Sequence, residues 1–302
     1  MNIFLILYPL IDCMYPMNET PLFLKLNGEL LDLRTPIVMG IVNVTPDSFF
    51  VGSRLVHDRS MLLLVEKHLN DGATIIDVGG YSTRPGANVV GVDEELQRVG
   101  DALKQIRKHF PEARISVDTF RSAVAAMAVR DFGAAMINDI SGGTLDMLMF
   151  EMVASLKVAY VLMHSRGNPQ NMQQLTQYNH LVSEVLHFLE NRVARLHLMG
   201  VHDVVVDPGF GFAKTLEQNY MLLQKLNHLK NTGVPVLAGV SRKSMIYKLL
   251  GTDATAALNG TTAAHMLALQ GGASILRVHD VKESVEAISI YKAYKDAGKK
   301  LI

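Results

Sequence analysis

Two groups of side chains in this 302-residue chain could cooperate if the fold brought them together. Asp118, Asn138 and Asp207 supply carboxylates and an amide with no cation beside them in sequence. That set suits a ligand edge presenting paired N–H donors, as a guanidine-like heterocycle does. Lys243, Arg277 and His279, joined by Arg84, form a cationic set that suits an anion such as phosphate. Asn43 offers one neutral oxygen, weak for a metal alone but usable for Mg2+ beside diphosphate oxygens and water, because Mg2+ keeps much of its hydration shell. A dedicated all-protein metal cage is not expected. Each carboxylate also has a plainer reading, since Asp118 before Thr119 can be a helix N-cap. Capping accounts for neither the amides nor the cations, and the glycine pairs nearby signal close backbone approach.

What must position these residues is a recurring unit: a short β-branched run, a polar or glycine-rich stretch, then a helical pattern. Eight such runs occur: Ile37 to Val42, Thr74 to Val78, Ile115 to Val117, Ala135 to Ile137, Val158 to Met163, Val204 to Val206, Val234 to Val240 and Ile275 to Val278. They are nearly continuous in apolar residues, as strands covered on both faces should be. Between them, Asp58 to Asp71, Thr255 to Gln270 and Lys282 to Asp296 carry a period near 3.6. The pattern predicts an α/β fold, a (β/α)8 TIM barrel in a single domain, with an open doubly wound sheet as the alternative. In a barrel the C-terminal strand ends converge on one mouth, so distance in sequence ceases to matter. The unusual polar residues stand at those ends.

Composition excludes other classes. Apolar residues make up 49% of the chain and charged ones 19%, enough for a sizeable core, so disorder is not the main state. Lys plus Arg equals Asp plus Glu at 29 each, which leaves no overall field to hold nucleic acid or an anionic membrane. The single cysteine, Cys13, closes no intrachain bridge, and the scarcity of thiols suits a cytoplasmic, reducing compartment. Residues 1–16 are apolar but are interrupted by Pro9, Asp12 and Pro16 and carry neither Lys nor Arg. They fit neither a secretory signal nor a spanning helix. They are expected to lie outside the fold, with residues 17–302 forming the barrel and Met17 as the true start.

The motifs together resemble the dihydropteroate synthase family of pterin-binding barrels. Those carrying the likeness are Asn43 through Phe49, Ser82 through Ala87, Asp207 through Phe212, Ser241 through Lys243, and Arg277 with His279. The likeness runs from about Pro36 to Asp296. It implies condensation of 6-hydroxymethyl-7,8-dihydropterin diphosphate with 4-aminobenzoate to 7,8-dihydropteroate and diphosphate, with a homodimer as the usual assembly. It implies that Asp118, Asn138, Asp207 and Lys243 hold the pterin, and that Thr83, Arg277 and His279 hold the diphosphate. Asn43 would coordinate Mg2+, and Arg84, Pro85, Phe212, Lys243 and Ser244 would form the aminobenzoate site, where sulfonamides should compete. Asp118, Asp207, Lys243 and Arg277 are the residues expected to act in catalysis.

The implied chemistry breaks the C–O bond first, so that Asp118 and Asp207 favour the pterin cation while Arg277 and His279 favour the departing anion. The arylamine is neutral near pH 7 and needs no strong base, and His164 reads as structural. Two departures stand out from the family's pattern. Val51 replaces a loop carboxylate, with Arg54 or Asp58 as compensation, and Tyr81 replaces a glutamate, which should alter loop packing rather than chemistry. A pterin-dependent methyltransferase and a pterin-binding paralogue without turnover are the rival readings. Lys243, Arg277 and His279 argue against the first, and retention of Asn43, Arg84 and Lys243 argues against the second.

Overall fold

The computed structural model describes residues 22–44, 54–81 and 90–297. The chain enters through a hairpin, β1 (Phe23–Leu26) and β2 (Glu29–Asp32), paired antiparallel from Phe23 opposite Asp32 to Leu26 opposite Glu29. Asn27 and Gly28 make its turn with φ of 49° and 89°. Two successive positive φ values are what a tight two-residue hairpin turn demands, and Asn-Gly meets that demand with least strain.

Eight parallel strands follow: β3 (Ile37–Asn43), β4 (Ile75–Gly79), β5 (Ile115–Asp118), β6 (Met136–Asp139), β7 (Ala159–Met163), β8 (Val204–Asp207), β9 (Leu237–Ala238) and β10 (Ile275–Val278). Their order is β8-β7-β6-β5-β4-β3-β10-β9. A parallel bridge between Val206 and Val236 joins the two ends of that order and closes the barrel. All eight apolar runs read from the sequence are strands, and the open sheet is excluded. The reason is burial from both sides: β4, β5, β6, β7 and β8 are buried at every position.

Helices cross back between strands and pack their apolar faces outside the barrel. They run from α1 (Arg54–Asn70), α2 (Val92–His109), α3 (Ser122–Phe132), α4 (Met149–Leu156) and α5 (Leu181–Leu198) to α6 (Leu216–Gln224), α7 (Ser244–Tyr247), α8 (Leu258–Gln270) and α9 (Val281–Ala297). In α2, Val99, Leu103 and Ile106 bury one stripe. Asp93, Glu94 and Glu95 stand in its first turn and Arg107, Lys108 and His109 in its last, so its charges match the helix dipole. Among the described residues no helix is long and apolar enough to cross a membrane.

The hairpin is the element the strand count did not anticipate, and it seals the floor of the barrel. Leu24, Leu26 and Leu33 cluster with Met39, Ile75, Met136, Ala159, Val205 and Ile275, residues at or near the strands' amino-terminal ends. The backbone N–H of Lys25 donates to Asp203 Oδ1 at 2.7 Å, just before β8. The hairpin's apolar contacts thus lie at the end opposite the mouth. Leu24 is fully buried, so Leu24→Ala should lower the unfolding free energy by about 2–5 kcal/mol. A lower urea midpoint with an intact folded baseline checks it.

Candidate active site

The carboxyl ends of the strands carry the polar residues singled out in the sequence. Asn43 and Asp118 end β3 and β5, Asn138 is the penultimate residue of β6, Asp207 ends β8, Arg277 lies in β10 and His279 follows it. Separation in sequence does not survive in space. Arg277 Nη2 donates to Asp118 Oδ2 at 2.6 Å, and Arg277 Nε donates to Asp77 Oδ2 at 2.6 Å. Asn138 Nδ2 donates to the same Asp77 oxygen at 3.0 Å. The cationic and carboxylate sets are therefore interleaved, with one guanidinium held between two carboxylates. Asp118 caps no helix: the N-cap residue of α3 is Arg121, without a side-chain cap.

Asp207 and Lys243 face each other across Gly239. A Cβ at Gly239 would lie 3.7 Å from Asp207 Oδ2 and 3.8 Å from Lys243 Nζ, so glycine leaves open the space both border. Burial pushes the Asp207 and Asp118 carboxyls up, while Lys243 acts against this at Asp207 and Arg277 at Asp118. Burial brings the Lys243 ammonium down to about 8, with Asp207 opposing the fall. Arg277 is held above the ordinary guanidinium value by Asp77 and Asp118, despite its own desolvation. Perturbed groups gathered in this way mark a candidate functional site, because a ligand's charge would change their balance.

The turn after β8 is irregular backbone fixed by side chains. Gly209 has φ of +72°, and a Cβ there would meet His164 O at 2.0 Å, so no other residue fits. Its N–H donates to Asp207 Oδ1 at 2.7 Å, leaving Oδ2 toward Gly239. Lys214 is buried beneath the turn and donates to Gly209 O at 3.0 Å, Phe212 O at 2.9 Å and His164 Nδ1 at 3.0 Å. Lys243 donates to Phe210 O, Gln173 Nε2 to Gly211 O and the Tyr178 hydroxyl to Ala213 O. Burial and Lys214 together bring His164 down to about 2, so its ring is neutral and accepts at Nδ1. This is the structural role expected for it.

Two further loops are locked together. Arg242, at φ of +53°, forks onto Asp280 through Nε at 2.8 Å and Nη2 at 2.7 Å, joining the turn after β9 to the turn after β10. Ser241 Oγ accepts from the His279 backbone N–H at 3.2 Å and lies 3.1 Å from its Nδ1. Ser241 thus ties the His279 ring and backbone to the turn after β9. Lys243 Nζ stands 4.8 Å from the centre of the half-buried Phe212 ring, and Ser244, also half-buried, opens α7 beside it.

Thr83, Arg84, Pro85, Val51 and residues 1–16 lie outside the described residues. Tyr81 lies within them and is buried, packed edge-on to Phe120 at 5.3 Å with its hydroxyl accepting from Gln170 Nε2 at 3.0 Å. The loop whose packing Tyr81 was expected to alter lies outside the described residues. Asn43 Oδ1 lies 3.5 Å from a Cβ position at Gly79, and Asp118 Oδ2 lies 3.7 Å from the same position. Among the described residues there is no cluster of three His, Cys, Asp or Glu that could cage a metal. One amide oxygen fits a cation held chiefly by substrate oxygens and water. Asp77 and Lys214 are the site residues that sequence reasoning did not assign. Asp77 interrupts the second apolar run, and Lys214 follows the Asp207 turn, so each had a positional signal but no visible partner.

A closed β/α barrel with buried, interleaved charges at its carboxyl mouth is the architecture of a barrel enzyme acting on a small charged ligand. Residues 39–279 match the model of the pterin binding enzyme family. The chain is 43% identical over 276 residues to the dihydropteroate synthase of Escherichia coli (strain K12), covering 88% of this chain and 94% of that one. It is 45% identical over 254 residues to the folic acid synthesis protein fol1 of Pneumocystis carinii, covering 82% of this chain and 34% of that longer protein. The crystal structure of Yersinia pestis dihydropteroate synthase with a sulfonamide drug superposes with a TM-score of 0.84 at 40% identity, covering 91% of this chain and 100% of that one. The chain belongs to the dihydropteroate synthase family of pterin-binding enzymes.

Burial brings Lys214 down from 10.5 to about 7, so between those values the unfolded chain binds more protons than the folded one. Stability should therefore rise with pH across that window. In Lys214→Met the rise should shrink, read as a smaller gain in urea midpoint from neutral to alkaline pH than in the unaltered chain.

Proposed function

We propose that the cup joins 6-hydroxymethyl-7,8-dihydropterin diphosphate to 4-aminobenzoate by breaking the C–O bond ahead of amine attack. The observation that carries this reading is the interleaving of opposite charges in one buried cup, with Arg277 between Asp77 and Asp118 and Lys243 facing Asp207 across Gly239. Heterolysis sends the bonding electron pair to the diphosphate and leaves the pterin methylene electron-poor, so both signs of charge need stabilising within one ligand's length.

Asp207 takes the amino and N3 edge of the pterin through Oδ2, because Gly209 already occupies Oδ1. Asp118 and Asn138 line the same ring, and their carboxylate and amide oxygens favour the cation. Arg277, His279 and Thr83 would hold the diphosphate oxygens. Asn43 would hold a Mg2+ ion on the diphosphate, where it supplies charge neutralisation to the leaving group. The aminobenzoate would stack against Phe212 and the stem of Lys243, with Arg84 and Pro85 contributing to its site and Ser244 meeting its carboxylate. The neutral amine attacks the methylene carbon and its proton leaves to solvent or diphosphate. A sulfonamide shares the arylamine and a polar end, and competes at the same place.

A second copy of the chain fits the exposed apolar side chains of neighbouring helices, Met221 on α6, Leu249 and Leu250 after α7, and Leu267 on α8. This supports a homodimer. One cysteine in the whole chain supports a cytoplasmic setting.

Incubating the chain with both substrates and Mg2+ should release diphosphate only when 4-aminobenzoate is present. Binding without release would leave a pterin-binding paralogue instead. Asp207→Asn removes the charge that matches the pterin edge and should weaken pterin binding by about tenfold or more in calorimetry. Unchanged affinity would remove Asp207 from its assigned place.

A further inference from the structure

Asp77 is fully buried in β4, and the proposed mechanism gives it no contact with substrate. Its Oδ2 accepts from Arg277 Nε and from Asn138 Nδ2, so one oxygen ties β10 to β6 across the barrel interior. Among the described residues its Oδ1 is buried without a hydrogen-bond partner, and so is the hydroxyl of Ser116, which stands opposite Asp77 on β5. All of the hydrogen bonding of this carboxylate therefore passes through the oxygen that meets the two site residues.

The consequence for Asn138 follows from its donor and acceptor inventory. A carboxylate accepts and does not donate, so only the nitrogen of the Asn138 amide can face it. Turning the amide over would set two acceptor oxygens against each other at hydrogen-bond distance, which burial makes costly. The carbonyl oxygen of Asn138 is thereby directed away from Asp77. The consequence for Arg277 is parallel: with Nε on Asp77 and Nη2 on Asp118, the plane of the guanidinium is fixed, and its Nη1 end is left uncommitted among the described residues.

We propose that Asp77 is a positioning residue that sets the orientation of the Asn138 amide and the plane of Arg277, so that an acceptor for the pterin ring and a donor for the diphosphate are presented together. The proposal rests on the function given above and adds to it a residue that acts through two others.

The test is calorimetric binding of 6-hydroxymethyl-7,8-dihydropterin diphosphate to the full chain and its variants. Asp77→Ala frees the amide and the guanidinium and should weaken binding by about tenfold or more. Asp77→Asn can keep a carbonyl oxygen where Oδ2 stands and should lose less than about fivefold. In an Asn138→Ala background the loss from Asp77→Ala should be smaller than in the unaltered chain, because part of its effect passes through that amide. Asp77→Ser, which reaches neither donor, replaces the alanine variant should the latter fail to fold. Affinity unchanged in Asp77→Ala, equal losses in the alanine and asparagine variants, or strict additivity with Asn138→Ala would each overturn the proposal. An unaltered chain that does not bind the pterin diphosphate would overturn the function itself.

Discussion

The site depends on one half-buried cation shared between two carboxylates. Arg277 comes from the last strand, and its partners Asp77 and Asp118 come from the second and third strands of the barrel, 200 and 159 residues away in sequence. Charges removed from water are tolerated only when they are paired and hydrogen-bonded, and removing one member leaves the others uncompensated. The barrel makes such a grouping possible because each strand end is a rigid support set by ladder hydrogen bonds rather than by the charges themselves. The charges then need only short side chains to meet. A substrate that brings a cationic edge and an anionic leaving group can exchange partners with this set without leaving any member unpaired.

The turn after β8 solves a related problem with less regular backbone. From Gly209 to Ala213 each carbonyl receives a side-chain donor: Lys214, Lys243, Gln173, Lys214 again and Tyr178. Carbonyls outside helices and sheets that lose water must find such partners, and here four side chains supply them. Lys243 serves the turn and borders the open space beside Asp207 at once. Its position is therefore settled before any ligand arrives, which is what preorganised electrostatic stabilisation requires.

The strands were legible in the sequence because burial on both faces writes itself as uninterrupted apolar runs, and Val204 to Val206 could hardly be anything else. The residues closing each run were legible for the same reason, being polar where apolar residues end. The hairpin was not read, although Asn27-Gly28 carries a turn signal, because strands of four residues give too little alternation to register. The pairing of Arg277 with Asp77 was not legible at all. Sequence shows which residues stand at the mouth, but side-chain reach across the barrel is decided by register and tilt, which no local pattern encodes. Lys214 illustrates the same limit: a lysine after a glycine-rich turn reads as solvated until the turn is seen to fold over it.

Placing the apolar seal and the charged cup at opposite ends of the same strands has a physical logic beyond economy of space. Leu24 and Leu26 close the floor against Met39, Ile75 and Ile275, residues two or more positions below the polar ends of their strands. A dry floor keeps water from reaching the charges from beneath, so the low dielectric that strengthens the Arg277 pairs is maintained by side chains that never touch them. The boundary between the two regimes falls at Asp77 and Ser116, paired on neighbouring strands, each with one buried polar atom lacking a partner. Below them the interior is apolar, and above them its polar groups are largely hydrogen-bonded to one another. A residue at that boundary can orient those above it because nothing below competes for it.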